Sequence, residues 1–137
     1  MTKITYLARE IINNKVNNTV NFTTDATISR EKQSFTIVYQ EKLLEKATCR
    51  IFYNGTDFIT INRITDDKIS NYFKIQKGKL IDINYFTLYG ESKLSIFGKE
   101  IIMNRLKDGS NVLKFTYDIY QGQQLLNTHK IYLQIKE

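Results

Sequence analysis

The chain holds one histidine, His129, and one cysteine, Cys49, so nucleophilic and metal chemistry have few side chains to draw on. Two such residues cannot assemble a His/Cys metal site, and any other would rest on carboxylates almost alone, so no metal and no cofactor is expected. Cys49 alternates in phase with Ala47, Ile51 and Tyr53, the pattern of a buried structural thiol. No nearby sequence element supplies a cation to lower its pKa, which makes it inert. His129 is in phase with Ile131, Leu133 and Ile135 and so points to the interior or its rim. A lone imidazole there reads as a satisfied core residue before it reads as a general base. No glycine belongs to a strand-to-helix turn with phosphate-loop spacing. Hydrolase, kinase and dinucleotide readings all fail, and the chain reads as a non-enzyme.

The polar residues that remain converge on one place. Arg63 shares strand parity with Ile59 and Ile61, so a regular strand aims its guanidinium inward. Glu41 shares parity with Phe35, Ile37 and Tyr39. Tyr85, Thr87 and Tyr89 follow Ile81 and Ile83, and Tyr117 follows Leu113 and Phe115. Together with His129 these residues form an expected interior polar cluster. An inward charge without a partner is costly, so Arg63 must find Glu41, tyrosine oxygens, water or a ligand. Two readings stand. An Arg63–Glu41 pair with tyrosine hydroxyls plugs one end of the core, or Arg63 anchors an anionic ligand such as a carboxylate above an apolar cup. The plug comes first, because small barrels are commonly filled by side chains. Either way, Arg63 is the polar residue the fold can least replace.

Outward positions supply the alternative. Lys114, Tyr120, Lys130, Tyr132 and Lys136 mix cations with rings along the outer face of the last two strands, as single-stranded nucleic acid could use, with Asp118 interrupting the stripe. The plainer reading of the same residues is a solvated face. A protein-interaction module or homodimer using an incompletely closed sheet edge is a third class.

The elements that must position these residues are strands. Residues 34–41 alternate apolar and polar, with Phe35, Ile37 and Tyr39 on one face. The same period runs through residues 47–53, 58–63, 72–75, 80–89, 93–97, 101–104, 112–120 and 126–136. Turn signals punctuate them at Asn54-Gly55, Lys77-Gly78, Gly90, Asp108-Gly109 and Gln121-Gly122. Asn13-Asn14 followed by residues 16–24, with Val20 and Phe22 in phase, reads as a hairpin joining the first two strands. Residues 3–12 also fit helical spacing through Ile4, Leu7, Ala8, Ile11 and Ile12, so strand and helix both stay open there. There is no proline to interrupt a ladder. The pattern predicts an all-β, antiparallel barrel, closed or nearly so, of about eight to ten strands.

Length and composition agree. The 137 residues suit one domain over 1–137, and 42% hydrophobic with 25% charged residues is ordinary globular composition. One cysteine allows no intrachain disulfide, and residues 1–15 carry Lys3, Arg9 and Glu10 within their apolar stretch and form no signal peptide. No run could span a bilayer, so a cytoplasmic protein without a membrane partner is expected, and the sequons at Asn17, Asn21 and Asn54 read as chance matches. The net charge of +6 permits attraction to nucleic acid, but the lysines are spread almost evenly along the chain.

Several short motifs carry a family resemblance. Tyr39-Gln40-Glu41, Ile61-Asn62-Arg63, Tyr72-Phe73, the run from Tyr85 to Gly90, and Phe115-Thr116-Tyr117-Asp118 resemble the YwiB-like family of uncharacterised bacterial β-barrels (domain of unknown function 1934). The resemblance covers nearly the whole chain, with residues up to about 32 matched by strand pattern more than by identity. It implies a calycin or lipocalin-like barrel and no assigned biochemical role. The N-terminal tryptophan often found in lipocalins is absent. The function expected from the sequence is a binding or accessory module for a small anionic or apolar ligand or a protein partner, with RNA binding as the alternative.

Overall fold

The structure, a computed structural model, describes residues 1–41 and 46–137. Among these residues ten strands form one antiparallel sheet: β1 (Thr2–Ile12), β2 (Lys15–Glu31), β3 (Ser34–Glu41), β4 (Ala47–Tyr53), β5 (Phe58–Thr65), β6 (Ser70–Gln76), β7 (Leu80–Thr87), β8 (Gly90–Arg105), β9 (Asn111–Gln121) and β10 (Gln124–Lys136). Residues 3–12 are strand. Their apolar residues serve both faces: Ile4, Tyr6 and Ala8 pack against the core, while Leu7 looks outward beside Arg9. Asn13 and Asn14 both take positive φ, 52° and 63°, and close the β1–β2 hairpin as a tight two-residue turn.

Each strand pairs with its neighbours in sequence, with two exceptions that define the molecule. The terminal strands pair with each other, from Lys3 opposite Lys136 to Ile11 opposite Thr128. The hydrogen-bonded ladder is instead interrupted between β6 and β7, the two ends of the strand order. The result is a nearly closed barrel with a mid-chain seam. At one point Asn71 bridges the seam: its side-chain amide donates to the Phe86 carbonyl at 2.9 Å and accepts from the Phe86 amide at 2.8 Å. One amide side chain thus imitates a strand pairing. Phe73 stacks on Tyr85 across the same seam with centroids 6.0 Å apart. Further along, the turn after β6 presses on β8 at Gly98, where any Cβ would lie 2.3 Å from the Gln76 carbonyl oxygen. A glycine is required there.

That contact corrects one reading. Residues 93–97 and 101–104 are one continuous strand, β8, whose register shifts by a bulge between Gly98 and Glu100. The second strand likewise runs on past Thr24 to Glu31 before turning into β3.

The two ends of the barrel differ. At one end Ile4, Phe35, Ile51, Ile59, Ile75 and Leu133 are at most 1% exposed and fill the interior. Each such side chain stabilises the fold by roughly 1.5–3 kcal/mol relative to exposure. Moving along the same inward rows to the other end, β1 passes from Ile4 through Tyr6 and Ala8 to Glu10, and β10 from Leu133 through Ile131 to His129. β3 ends on Glu41 and β5 continues past Ile61 to Arg63. Apolar packing gives way there to a polar cup.

Candidate functional site

The cup is a cavity of about 260 Å³ at the polar end, walled by Tyr6, Phe22, Tyr39, Phe73, Tyr117 and His129. Ala8, Val20, Ile61 and Ile131 add apolar surface, and Glu10, Asn18, Glu41, Cys49 and Arg63 supply the polar surface among the described residues. Its volume arises locally, because Ala8 stands opposite Val20 on one side and Ile131 on the other, two positions without a ring among aromatic neighbours. The rings brace one another. Tyr6 stacks on Phe22 at 5.1 Å, and Tyr39 tilts against both. Tyr117 stacks on His129 at 5.1 Å and a 10° interplanar angle. Burial raises the phenol pKa values of Tyr6, Tyr39 and Tyr117, so these hydroxyls stay protonated at any physiological pH.

Arg63 and Glu41 meet as a two-pronged pair: Nε donates to Oε2 and Nη2 to Oε1, each at 3.2 Å. The register explains the reach. Cys49 faces Tyr39 on β3 and Arg63 on β5, so Glu41 and Arg63 approach each other around its small side chain. Both members keep partial solvent access, 29% for Arg63 and 23% for Glu41. The Cys49 thiol donates to Glu41 Oε2 at 3.4 Å, and burial pushes its pKa up to about 12, with the Glu41 carboxylate adding to the effect. A cation does stand beside this cysteine after all, since strand pairing brings Arg63 to it, but its influence is outweighed.

Glu10 is the site residue that sequence reasoning missed. It lies opposite His129 and accepts from Asn17 Nδ2 at 2.7 Å and from Asn127 Nδ2 at 2.9 Å. Beside it, Asn127 Oδ1 is buried with no donor among the described residues. The signal was the parity of Ile4, Tyr6, Ala8 and Glu10, hidden while residues 3–12 stayed open between strand and helix. Burial holds the His129 imidazole below its usual pKa, with Glu10 opposing the shift.

Of the expected interior cluster, Tyr39, Glu41, Arg63, Tyr117 and His129 come together in the cup. Tyr85 does not line it, but packs on Phe73 at the seam. Thr87 and Tyr89 are corrections. Their parity follows Ile83, but β7 leaves the barrel end and turns at residues 88–89, so Thr87 is exposed and Tyr89 is 98% exposed. Thr87 Oγ1 serves the turn, accepting from the Tyr89 amide at 3.1 Å. Among the described residues no group of three His, Cys, Asp or Glu side chains could hold a metal ion, and no helix is long and apolar enough to cross a membrane.

The outer residues do not form one stripe. Lys114, Lys130 and Tyr132 line a single open cleft, together with Arg9 and Lys99. Tyr120 pairs near the far end of β10, opposite Leu125, whereas Lys136 sits at the other end, with Nζ 3.7 Å from Asp108. Asp118, expected to break the stripe in solvent, is buried, accepting from Thr128 and pairing with Lys99 at 3.8 Å.

Comparisons with known proteins place this geometry. The family model described as a domain of unknown function, DUF1934, matches residues 4–133. Among solved structures, the ywiB protein from Bacillus subtilis superposes with a TM-score of 0.77 over 98% of this chain and 89% of its own, at 12% identity. At that identity the likeness shows the fold alone. No curated protein matches the sequence.

Proposed function

The chain belongs to the DUF1934 family, and from that premise we propose that it is a non-enzymatic binding module of the cytoplasm whose barrel cup takes a small, flat ligand, uncharged or singly cationic. The observation that carries this reading is the 260 Å³ aromatic-walled cavity with Glu10 at its polar end. Pockets of this kind bind through apolar area and take orientation from a few polar groups. An up-and-down barrel with a cup at one end, as in lipocalins, is an architecture suited to that task.

The charge of the cup selects the ligand. Among the described residues that line the cup, Glu41 and Arg63 compensate each other and the lowered pKa of His129 keeps the imidazole neutral at pH 7, so Glu10 gives these residues a net negative charge. An anion approaching the Nε–Nη2 edge of Arg63 would have to displace Glu41 from both of its contacts. The Arg63–Glu41 pair supports the plug reading over the anion anchor, and the ligand site proposed here lies beside the pair.

Fluorescence titration tests this with two naphthalene probes of similar size, neutral N-phenyl-1-naphthylamine and anionic anilinonaphthalene sulfonate. The neutral probe is expected to bind at least about tenfold more tightly, and Ala8→Phe, which fills the cup, to abolish that binding while leaving the β-sheet spectrum intact. Native mass spectrometry of protein taken from its own cytoplasm would show the physiological ligand as an added small mass. Preference for the anion, or equal binding by folded Ala8→Phe, refutes the proposal.

A further inference from the structure

The cleft on the outer face lies on the wall formed by β1, β10, β9 and β8, and its rim gathers Arg9, Lys99, Lys114 and Lys130 against one carboxylate, Glu100. The sheet register makes this crowding specific. Arg9 is the direct cross-strand partner of Lys130, and Lys130 in turn faces Thr116, so two cations meet with no acid between them. Like charges directly opposite each other on a sheet are destabilising. Among the described residues, no carboxylate lies within ion-pair distance of Arg9, Lys114 or Lys130. Lys99 is the extra residue of the β8 bulge, which places its ammonium near this group, where it holds Asp118 at 3.8 Å. An evenly solvated lysine surface would not concentrate charge in this way.

The cleft also holds an aromatic face. Tyr132 is half-buried opposite Lys114, whose ammonium lies 5.8 Å from the ring centroid, and Leu7 stands on the other side of Tyr132. Backbone-tracking cations beside a ring on which a base can stack are the two elements of single-strand recognition. We propose that this cleft binds a short stretch of single-stranded nucleic acid, with Arg9, Lys114 and Lys130 on phosphates and a base on Tyr132. From β1 to β8 the wall spans three strand spacings, roughly 14 Å, so only a few nucleotides are engaged. The site is separate from the cup and does not depend on it.

Fluorescence anisotropy with a labelled oligouridylate twelve-mer tests the proposal. With three or four cations engaged, the logarithm of affinity should fall with that of salt concentration with a slope of about −2 to −3. The Arg9→Gln/Lys130→Gln variant should lose affinity by at least about tenfold and flatten the slope by more than one unit. Tyr132→Leu should weaken binding by about tenfold with the slope unchanged. Lys136→Gln, which removes one cation from outside the cleft, should bind as wild type does. The proposal is overturned by no binding at 50 mM salt, by an Arg9→Gln/Lys130→Gln variant that is folded by circular dichroism and binds normally, or by an equal loss in Lys136→Gln. Equal affinity for a duplex or for a heparin fragment of matching length also overturns it, since the cleft would then recognise charge alone.

Discussion

Removing the Arg63 guanidinium is the perturbation that most directly probes the polar end of the barrel. Arg63→Ala deletes both 3.2 Å contacts and, among the described residues, leaves the Glu41 carboxylate with the Cys49 thiol at 3.4 Å as a weak donor. A fully buried carboxylate stranded in this way costs roughly 3–5 kcal/mol, and an exposed one less than about 1 kcal/mol. Glu41 is 23% exposed and Arg63 29%, so water entering the space left by the guanidinium restores part of the carboxylate's solvation. The expected loss is about 2 kcal/mol, which for a chain of this length lowers Tm by about 7 °C. Urea denaturation of wild type, Arg63→Ala, Glu41→Gln and the double variant Arg63→Met/Glu41→Gln measures it. The double variant should recover most of the loss, because the cost lies in the orphaned charge rather than in missing volume. Arg63→Ala melting within about 1 °C of wild type would falsify the argument, since the pair would then behave as a surface ion pair.

Two further outcomes follow from the same end of the barrel. Cys49, with its thiol pKa pushed up to about 12 and its side chain buried, should react with a disulfide reagent at pH 8 more than about a hundredfold more slowly in the folded protein than in denaturant, and comparable rates would contradict its placement. For His129 the folded pKa lies below the unfolded value near 6.5, so protons bind the unfolded chain preferentially. Its contribution is fully present above pH 6.5, declines as pH falls below that value, and levels off beneath the folded pKa. His129→Phe should remove this decline from urea midpoints measured between pH 7.5 and about 5, and parallel profiles for the two proteins would show that the imidazole is not held neutral.

The strands were legible wherever one face of a strand is apolar and the other polar. In β3 and β4 the inward rows Phe35, Ile37, Tyr39 and Ala47, Cys49, Ile51, Tyr53 are all buried, and period-two alternation records that directly. β1 was ambiguous for a physical reason: its outward Leu7 serves the exterior cleft, and Leu7 and Ile11, both out of phase with the inward row, create helical spacing. The 98–100 bulge was illegible because what requires Gly98 is the Gln76 carbonyl, a contact 22 residues away in sequence.

The same distinction between parity and position separates the site residues. Parity is local, and it correctly aimed Arg63, Glu41, Tyr117 and His129 into one interior. It carries no information about where a barrel ends, so Thr87 and Tyr89 kept the inward phase of β7 after the chain had passed the rim. Register is the missing quantity. It brings Glu10 opposite His129 and Arg9 opposite Lys130, two pairings between residues 119 and 121 positions apart along the chain. One β1–β10 ladder therefore positions an acid inside the barrel and a doubled cation outside it, on consecutive residues of β1. A slip of that ladder by one residue would exchange the two faces, turning Arg9 into the cup and Glu10 onto the wall. Both binding proposals rest on that register, and the polar end of the barrel is specified by the pairing of the chain's two terminal strands more than by any motif within either one.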